Sequence, residues 1–308
     1  MIYDVVIIGG GPAGTAAGVY AARKQLKTLL IGGEFGGQST VSTDIQNWIG
    51  TPHISGEDFK KALTAHLKEY EGEFLTIKEG VWVSQIKKND DIFSIIYDGG
   101  SFEAHSILIA TGSTRRKLEV KGAQEYENKG ITYCASCDGP LFSGQDVTVI
   151  GGGNAALETV AQLVAYCKSV TLLHRSETFR ADEITVQKVL AHEKVTVHKN
   201  VEVLEVKGEQ FVNAIVWKDK TSGSITEQPT SGIFVEIGQI PSTQFAEGFL
   251  TLDENKKITI DPWTQRTSVE GIWCAGDASN GLYHQNNIAA GDAVKALEDI
   301  YMWLHKKK

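Results

Sequence analysis

Two stretches decide the reading of this chain: Asp4-Val-Val-Ile-Ile-Gly-Gly-Gly-Pro-Ala-Gly14, and its near-repeat Val147-Thr-Val-Ile-Gly-Gly-Gly-Asn-Ala-Ala156. Each is a β-branched apolar run, then glycines, then an alanine-rich amphipathic stretch, over residues 15–24 and 157–167 respectively. That order predicts strand, tight turn and helix. A second apolar run follows each, Thr28 to Ile31 and Val170 to Leu173, and completes two separate βαβ units. Their first glycines stand 142 residues apart (151 minus 9). That separation implies two nucleotide-binding domains rather than one long sheet.

Working outward, the run Ile107 to Ala110 is followed by Thr111-Gly-Ser-Thr-Arg-Arg-Lys117, small and polar like a linker. A second break lies between Gly238 and Gly248, where Pro241, Ser242 and Thr243 follow the apolar run Ile233 to Ile237. The chain then resumes with strands expected at Ile258 to Ile260 and Gly271 to Ala275 and a closing helix from Ile288 to Leu304. The reading is therefore an α/β chain of two Rossmann-like dinucleotide-binding domains, the second inserted into the first. Residues 1–115 and 246–308 make the first domain and 116–245 the second.

The 308 residues suffice for two hydrophobic cores. With 30 basic and 38 acidic residues the formal charge is -8, so no electrostatic feature calls for nucleic acid. Lys306 to Lys308 reads as a solvated tail. The uncharged segment from Val5 to Ala22 is interrupted by three consecutive glycines and Pro12 and preceded by Asp4, which argues against a membrane span or a signal peptide. A cytoplasmic protein without a membrane partner is the expectation. Of the four cysteines at 134, 137, 167 and 274, the last two sit in apolar surroundings and are expected to be inert core residues.

The chemistry lies in the glycine turns and the close cysteine pair. In Gly9-x-Gly11-x-x-Gly14, the first glycine makes the turn, the second admits a pyrophosphate to the backbone, and the third lets helix and strand pack closely. The pyrophosphate rests on the helix N-terminus, where free N–H groups favour negative charge. Glu34, twenty residues after Gly14, has the spacing of an acid that binds ribose hydroxyls, and equally reads as an exposed loop glutamate. The second turn, Gly151-x-Gly153-x-x-Ala156, carries the alanine that the pattern permits. Two dinucleotides in one chain imply a hydride passed between them. After the second unit's second strand comes His174-Arg-Ser-Glu-Thr-Phe-Arg180 in place of an acid. Arg175 and Arg180 suit a 2′-phosphate, which favours NADPH over NADH; a solvated charge cluster is the alternative.

Cys134-Ala-Ser-Cys137 is bounded by Tyr133 and Asp138-Gly-Pro140. Residues three apart in a helical turn are neighbours, within the roughly 4.4–6.8 Å between Cα atoms that a disulfide needs. Thiolates in such a pair have a lowered pKa and attack disulfides. Zinc is the competing reading, but it takes about four ligands and no second pair of cysteines or histidines appears. Asp138 is placed to move the proton that thiol exchange requires, or merely to cap the bend.

At this point the chain resembles the low-molecular-weight thioredoxin reductases over essentially its whole length. The resemblance is carried by Gly9 to Gly14, Gly36-Gly37-Gln38, Ala110-Thr111-Gly112, Cys134-x-x-Cys137-Asp138-Gly139, Gly151 to Asn154, Gly276-Asp277 and Tyr283-His284-Gln285. Gly130 to Phe142 is also similar to the flavoprotein part of alkyl hydroperoxide reductase, whose extra N-terminal thioredoxin-like domain is not expected here. The resemblance implies FAD/NAD(P)-binding domains of the three-layer ββα type and a homodimer. FAD would be held in the first domain by Gly9, Gly11, Pro12, Ala13, Gly14, Glu34, Gly37, Gln38, Asn47, Ala110, Thr111, Gly112, Gly276, Asp277, His284, Gln285 and Asn286. The nicotinamide nucleotide would be held in the second by Gly151, Gly153, Asn154, Ala155, His174, Arg175 and Arg180. It further implies that Cys137 faces the flavin, Cys134 attacks a disulfide of thioredoxin or a thioredoxin-like protein, and Asp138 does acid-base work.

The sequence departs from the family pattern at Ser176, where a second arginine is usual, at Ala155, where a small hydroxyl residue is often seen, and at His284, where an arginine is common. Three alternatives therefore stay open: an NADH- or ferredoxin-dependent enzyme of the same type, a dithiol oxidase similar to those of gliotoxin-type biosynthesis, and a flavin redox sensor. Because nicotinamide and disulfide must reach one flavin and both lie on the inserted domain, the resemblance implies that this domain rotates on its two linkers. An engineered disulfide that locks the linkers is expected to abolish turnover; unchanged turnover would show that no such rotation is needed.

Overall fold

The computed structural model describes residues 1–42 and 44–307. In chain order, β1 (Ile2–Gly10) runs into α1 (Pro12–Arg23) through the glycine turn, and β2 (Thr28–Phe35) follows. Next come α2 (Gly56–Glu69), β3 (Leu75–Glu79), β4 (Val83–Asn89), β5 (Ile92–Tyr97) and β6 (Gly100–Ile109). The first crossing strand is β7 (Ser113–Arg115). Beyond it lie β8 (Ile131–Thr132), α3 (Ala135–Asp138), β9 (Asp146–Gly151), α4 (Asn154–Leu163), β10 (Ser169–Leu173) and α5 (Glu183–Leu190). They are followed by β11 (Val195–His198), β12 (Val201–Gly208), β13 (Val212–Asp219), β14 (Ile225–Pro229) and β15 (Gly232–Glu236). The second crossing strand, β16 (Gln239–Pro241), pairs with β7; β17 (Ile272–Cys274) and α6 (Asn286–Lys307) close the chain.

The chain divides into two units. The first comprises Met1–Val41, Trp48–Thr114 and the chain from Ile240 onward; the second comprises Arg115–Gln239 and the short segment Ser42–Asn47. The second crossing thus lies at Gln239/Ile240, not at 245/246. The reason is packing: Phe245, Ala246, Phe249 and Leu250 belong to a core of the first unit.

In the first unit, β6 organises the sheet. One of its edges pairs with β1, which continues in parallel through β2 to β3. On the other edge, Gly100 to Ala104 pairs antiparallel with β5, while Ile107 to Ile109 pairs parallel with β17. The period of two along these strands separates two cores. Val5 and Ile7 of β1, Leu30 of β2 and Leu108 of β6 face α1 and α6. Val6, Ile8, Leu29, Ile31, Ile107 and Ile109 face the opposite layer with Phe93 and Ile95 of β5. The helical layer packs closely because α1 buries small residues, Ala17 and Ala21 among them, in one cluster with Ala293 and Ala296 of α6.

The second unit repeats the scheme with a parallel sheet of order β11-β10-β9-β15-β8. Val147, Val149, Leu172 and Phe234 face α4, whereas Ile150, Leu173, Ile233 and Val235 share a core with β12 and β13. Both units are therefore three-layer ββα Rossmann-like folds. The expected strand at Ile258 to Ile260 is not one: Ile258 makes only isolated bridges, to Leu252 and Ser279, because its neighbours find no ladder partner. The closing helix starts two residues before the expected Ile288. Of the basic tail, Lys306 is exposed and Lys308 lies outside the described residues. Among the described residues no helix is long and apolar enough to cross a membrane.

Trp273 is the largest fully buried side chain of the first unit; it meets Trp303 edge-on and donates its indole N–H to Asp299 at 2.9 Å. Trp273→Ala is expected to cost about 3–5 kcal/mol. Urea titration of the purified protein checks this, and a loss under about 1 kcal/mol would show that this contact does not anchor β17 to α6.

Candidate functional site

In the first unit the glycine turn fits a pyrophosphate. A Cβ on Gly14 would fall 1.8 Å from the Gly9 carbonyl oxygen, so helix and strand are too close there for any side chain. Gly11 differs: its backbone (φ -80, ψ -169) suits any residue, and a Cβ would find only the Gly37 backbone, nearest at 3.5 Å. The protein itself does not need glycine at that place; a ligand lying on the backbone does. Gly11 is the N-cap of α1 and offers no side-chain cap, and Pro12 fills the first turn. One turn in, the buried Thr15 Oγ1 has no hydrogen-bond partner among the described residues. Amides, a helix start and an orphaned hydroxyl suit a phosphate-bearing cofactor.

Three distant stretches meet beside this turn. Gln38 donates its amide to Ser113 Oγ at 3.1 Å and to Asp277 Oδ2 at 3.3 Å, and Ser113 Oγ lies 3.4 Å from the same oxygen. Asn286 exchanges hydrogen bonds with Ser39 Oγ, donating at 2.9 Å and accepting at 3.2 Å. Gly276 takes a left-handed turn (φ 73) that aims Asp277 into the group. Thr111 donates to the Ser242 carbonyl at 2.8 Å, and Ala110 pairs its amide with Ile8 of β1. His284 Nδ1 lies 3.5 Å from Asp277 Oδ1, while its Nε2 meets Lys257 Nζ at 2.6 Å. An ammonium only donates, so Nε2 accepts and Nδ1 carries the proton toward Asp277. Burial pulls the Lys257 ammonium below its ordinary pKa, and Asp277 pulls it back. Ser39, Ser113 and Lys257 escaped the sequence reading; Ser113 was visible only as part of a linker. Glu34 stands exposed in β2, within the strand rather than in a loop. Asn47 falls in the segment grouped with the second unit.

In the second unit Cys134 and Cys137 are joined in a disulfide with their Cα atoms 5.3 Å apart. Cys134 is the N-cap of α3, and its carbonyl accepts from the amides of Cys137 and Asp138. The single helical turn therefore sets the spacing. Thr132, at the end of β8, donates its hydroxyl to Asp138 Oδ2 in a short hydrogen bond and lies 3.5 Å from the Cys134 amide. Burial holds the Asp138 carboxyl above the ordinary range, opposed by this bond and by the charge of Arg115. A carboxyl whose proton is held more tightly by burial, next to a cysteine pair, can supply a proton to a departing sulfur. Cys167 and Cys274 are free and buried; burial pushes the Cys167 thiol up to about 11, and raises that of Cys274 as well.

The second glycine turn has the same character as the first. Gly153 (φ -96, ψ -178) caps α4 without a side-chain bond, and a Cβ on it would meet nothing closer than 3.8 Å. Gly151 is packed shut, with a Cβ falling 2.4 Å from the Glu236 carbonyl oxygen. Asn154 Oδ1 accepts from the Asp182 amide at 2.7 Å, and Ala155 is exposed on the first turn of α4. Arg175 and Arg180 are both exposed beyond β10, and the Arg180 amide bonds Gly152. His174 has a different setting. It is buried, stacks on Phe179, contacts the Thr178 carbonyl at 3.0 Å and fills the space beside Gly152. It shapes the loop from inside.

Over residues 3–293 the sequence matches the family described as pyridine nucleotide-disulphide oxidoreductase. An alkyl hydroperoxide reductase component of Xanthomonas campestris pv. phaseoli is 36% identical over 295 residues, 96% of this chain and 56% of the relative. A Bacillus subtilis (strain 168) protein named NADH dehydrogenase is 34% identical over 294 residues, 96% and 57% respectively. The chain thus spans little more than half the length of these curated relatives. Among solved structures, thioredoxin reductase from Giardia duodenalis has a TM-score of 0.92 at 32% identity, covering 98% of this chain and 99% of the other. That from Streptococcus pyogenes MGAS5005 has a TM-score of 0.90 at 32% identity, covering 99% of both. With the family match running through both units and Cys134 and Cys137 joined in a disulfide in the second, the chain belongs to the pyridine nucleotide-disulphide oxidoreductase family.

Proposed function

We propose that the enzyme takes electrons from NADPH through FAD to the Cys134/Cys137 pair and reduces the disulfide of thioredoxin or a thioredoxin-like protein. The observation that carries this is the Cys134–Cys137 disulfide on a single helical turn with the partly buried Asp138 next to it. When bound, the flavin accepts a hydride equivalent from the nicotinamide and gives two electrons to the disulfide. The chain's residues do the rest. The amides around Gly11 and Gly153 would hold the two pyrophosphates, and Gln38, Ser113 and Asp277 would bind the flavin cofactor beside the first turn. Once the pair is reduced, Cys134 attacks the partner's disulfide and Cys137 resolves the mixed disulfide. Asp138, held by Thr132, provides the proton that each departing thiolate takes up.

The donor rests on the loop after β10. Arg175 and Arg180 present guanidinium groups there, and Lys220 reaches the same loop, its Nζ donating to the Arg175 carbonyl at 3.0 Å. These cations favour a 2′-phosphate. NADH is the second reading, favoured by Ser176 in place of an arginine and by curated relatives named NADH dehydrogenase. Location in the cytoplasm and a homodimer complete the proposal.

Anaerobic stopped-flow mixing tests the donor: rapid bleaching of the flavin band by NADPH and slow bleaching by NADH are expected. The reverse order would move the enzyme to the second reading, and no bleaching by either would require another donor such as ferredoxin. Cys134→Ser is expected to leave this bleaching intact and to bring thioredoxin reduction to background. Peroxide formed from a small dithiol and oxygen, without thioredoxin reduction, would instead establish a dithiol oxidase, and negligible turnover with all of these substrates a sensor.

Thr132→Val removes the bond that favours the charged form of Asp138. The titration of its carboxylate, followed by carbon NMR, is expected to move to higher pH, with the alkaline limb of the disulfide-exchange rate moving the same way. An unmoved limb would remove Asp138 from the proton's path.

A further inference from the structure

Glu236 has no role in anything described so far, yet it occupies a particular place. It ends β15 in register with Gly151, the last residue of β9, and the two backbones touch. In the order β11-β10-β9-β15-β8 the chain goes from β9 to one side through β10 and returns on the other as β15. Nucleotides bind in the crevice beyond the carboxyl ends of strands at such a reversal. The adenosine half belongs with the loop after β10, where Arg175 and Arg180 stand. A dinucleotide extended across the turn at Gly151 to Gly153 would bring its other half toward the end of β15, which lies in register with Gly151.

The side chain is built rather than incidental. Only 15% exposed, it accepts a hydrogen bond from the buried Thr159 Oγ1 of α4 to Oε1 at 3.0 Å, and Arg115 Nη1 lies 4.0 Å from the same oxygen. Among the described residues Oε2 has no hydrogen-bond partner. The charged groups around it are Arg115 of β7 and Glu158 of α4. Burial pushes the carboxyl up to about 7, with Arg115 and Thr159 opposing, so its charge changes in the neutral range.

We propose that Glu236 receives the nicotinamide riboside half of the dinucleotide, and that its carboxylate favours the cationic oxidised ring over the neutral reduced one. The proposal rests on the nicotinamide-donor reading and adds the residue that reads the ring's oxidation state. As the carboxylate forms, oxidised nucleotide is held more tightly and reduced nucleotide is not, so the preference between them depends on pH.

The test titrates the holoenzyme, by flavin and tryptophan fluorescence, with NADP+ and with tetrahydro-NADP, whose ring is neutral and gives no hydride. NAD+ and tetrahydro-NAD serve if the bleaching assay favours NADH. The preference for the oxidised form is expected to grow about fivefold between about pH 6 and about pH 8, either side of the Glu236 titration. Protonation of the 2′-phosphate or of exposed histidines acts on both nucleotides and cancels in the ratio. Glu236→Gln is expected to flatten the pH dependence while leaving the melting temperature near that of the wild type. Thr159→Val, which keeps the carboxyl but loses the bond favouring its charge, is expected to move the midpoint to higher pH, and serves if Glu236→Gln does not fold. A flat wild-type ratio, a slope that survives Glu236→Gln, or an unmoved midpoint in Thr159→Val overturns the proposal while leaving the donor reading intact. A wild type that binds neither nucleotide overturns both.

Discussion

A side chain at Gly14 would place its Cβ 1.8 Å from the Gly9 carbonyl oxygen, and the first unit depends on that space being empty. Only with a bare Cα can α1 start against the end of β1, where its first amides and dipole meet whatever lies beyond the sheet. The second unit answers the same constraint differently. There the third position is Ala156, and the glycine at the strand end, Gly151, is the one with no room, hemmed in by the Ala156 Cβ and the Glu236 carbonyl. In both turns the middle glycine has space around it. Gly11 and Gly153 have backbone angles open to any residue, so what they leave is a bare backbone for a ligand to rest on.

In the second unit one cation faces two partly buried acids. Asp138 and Glu236 are both held above the ordinary carboxylate range by burial, and both feel the guanidinium of Arg115. One threonine supports each: Thr132 from β8 for Asp138, Thr159 from α4 for Glu236. Arg115 is the first residue of this unit after the crossing, so the cation that tunes both acids sits at the linker. Removing solvent raises the cost of a carboxylate, and a hydroxyl bond or a half-distant cation recovers only part of it. The result is two carboxyls that hold their protons more tightly than exposed ones do, and for Glu236 the shift reaches about 7.

Much of this was legible in the residues. The glycine turns, the helices after them and the cysteine pair follow from short-range chemistry, and each was placed within a few residues. The failures have physical reasons. Ile258 to Ile260 has the composition of a strand but no neighbour with which to form a ladder. His174 sits in a polar run that reads as surface, yet the missing side chain of Gly152 leaves a space the imidazole fills. The crossing near 240 was put too late because the apolar residues from 245 to 250 serve the first unit's core, a fact of packing rather than composition.

By itself the sequence determined the two βαβ units, their glycine turns and the close cysteine pair, because turn geometry and a three-residue cysteine spacing are set by neighbours along the chain. Only the tertiary structure brought Gln38, Ser113 and Asp277 onto one another from three stretches, and set Lys257 against His284. It alone placed Glu236 opposite Gly151 and bonded the partly buried Asp138 to Thr132. Those contacts depend on strand register and on exclusion of water, and both arise from which segments pack together, which no local pattern encodes.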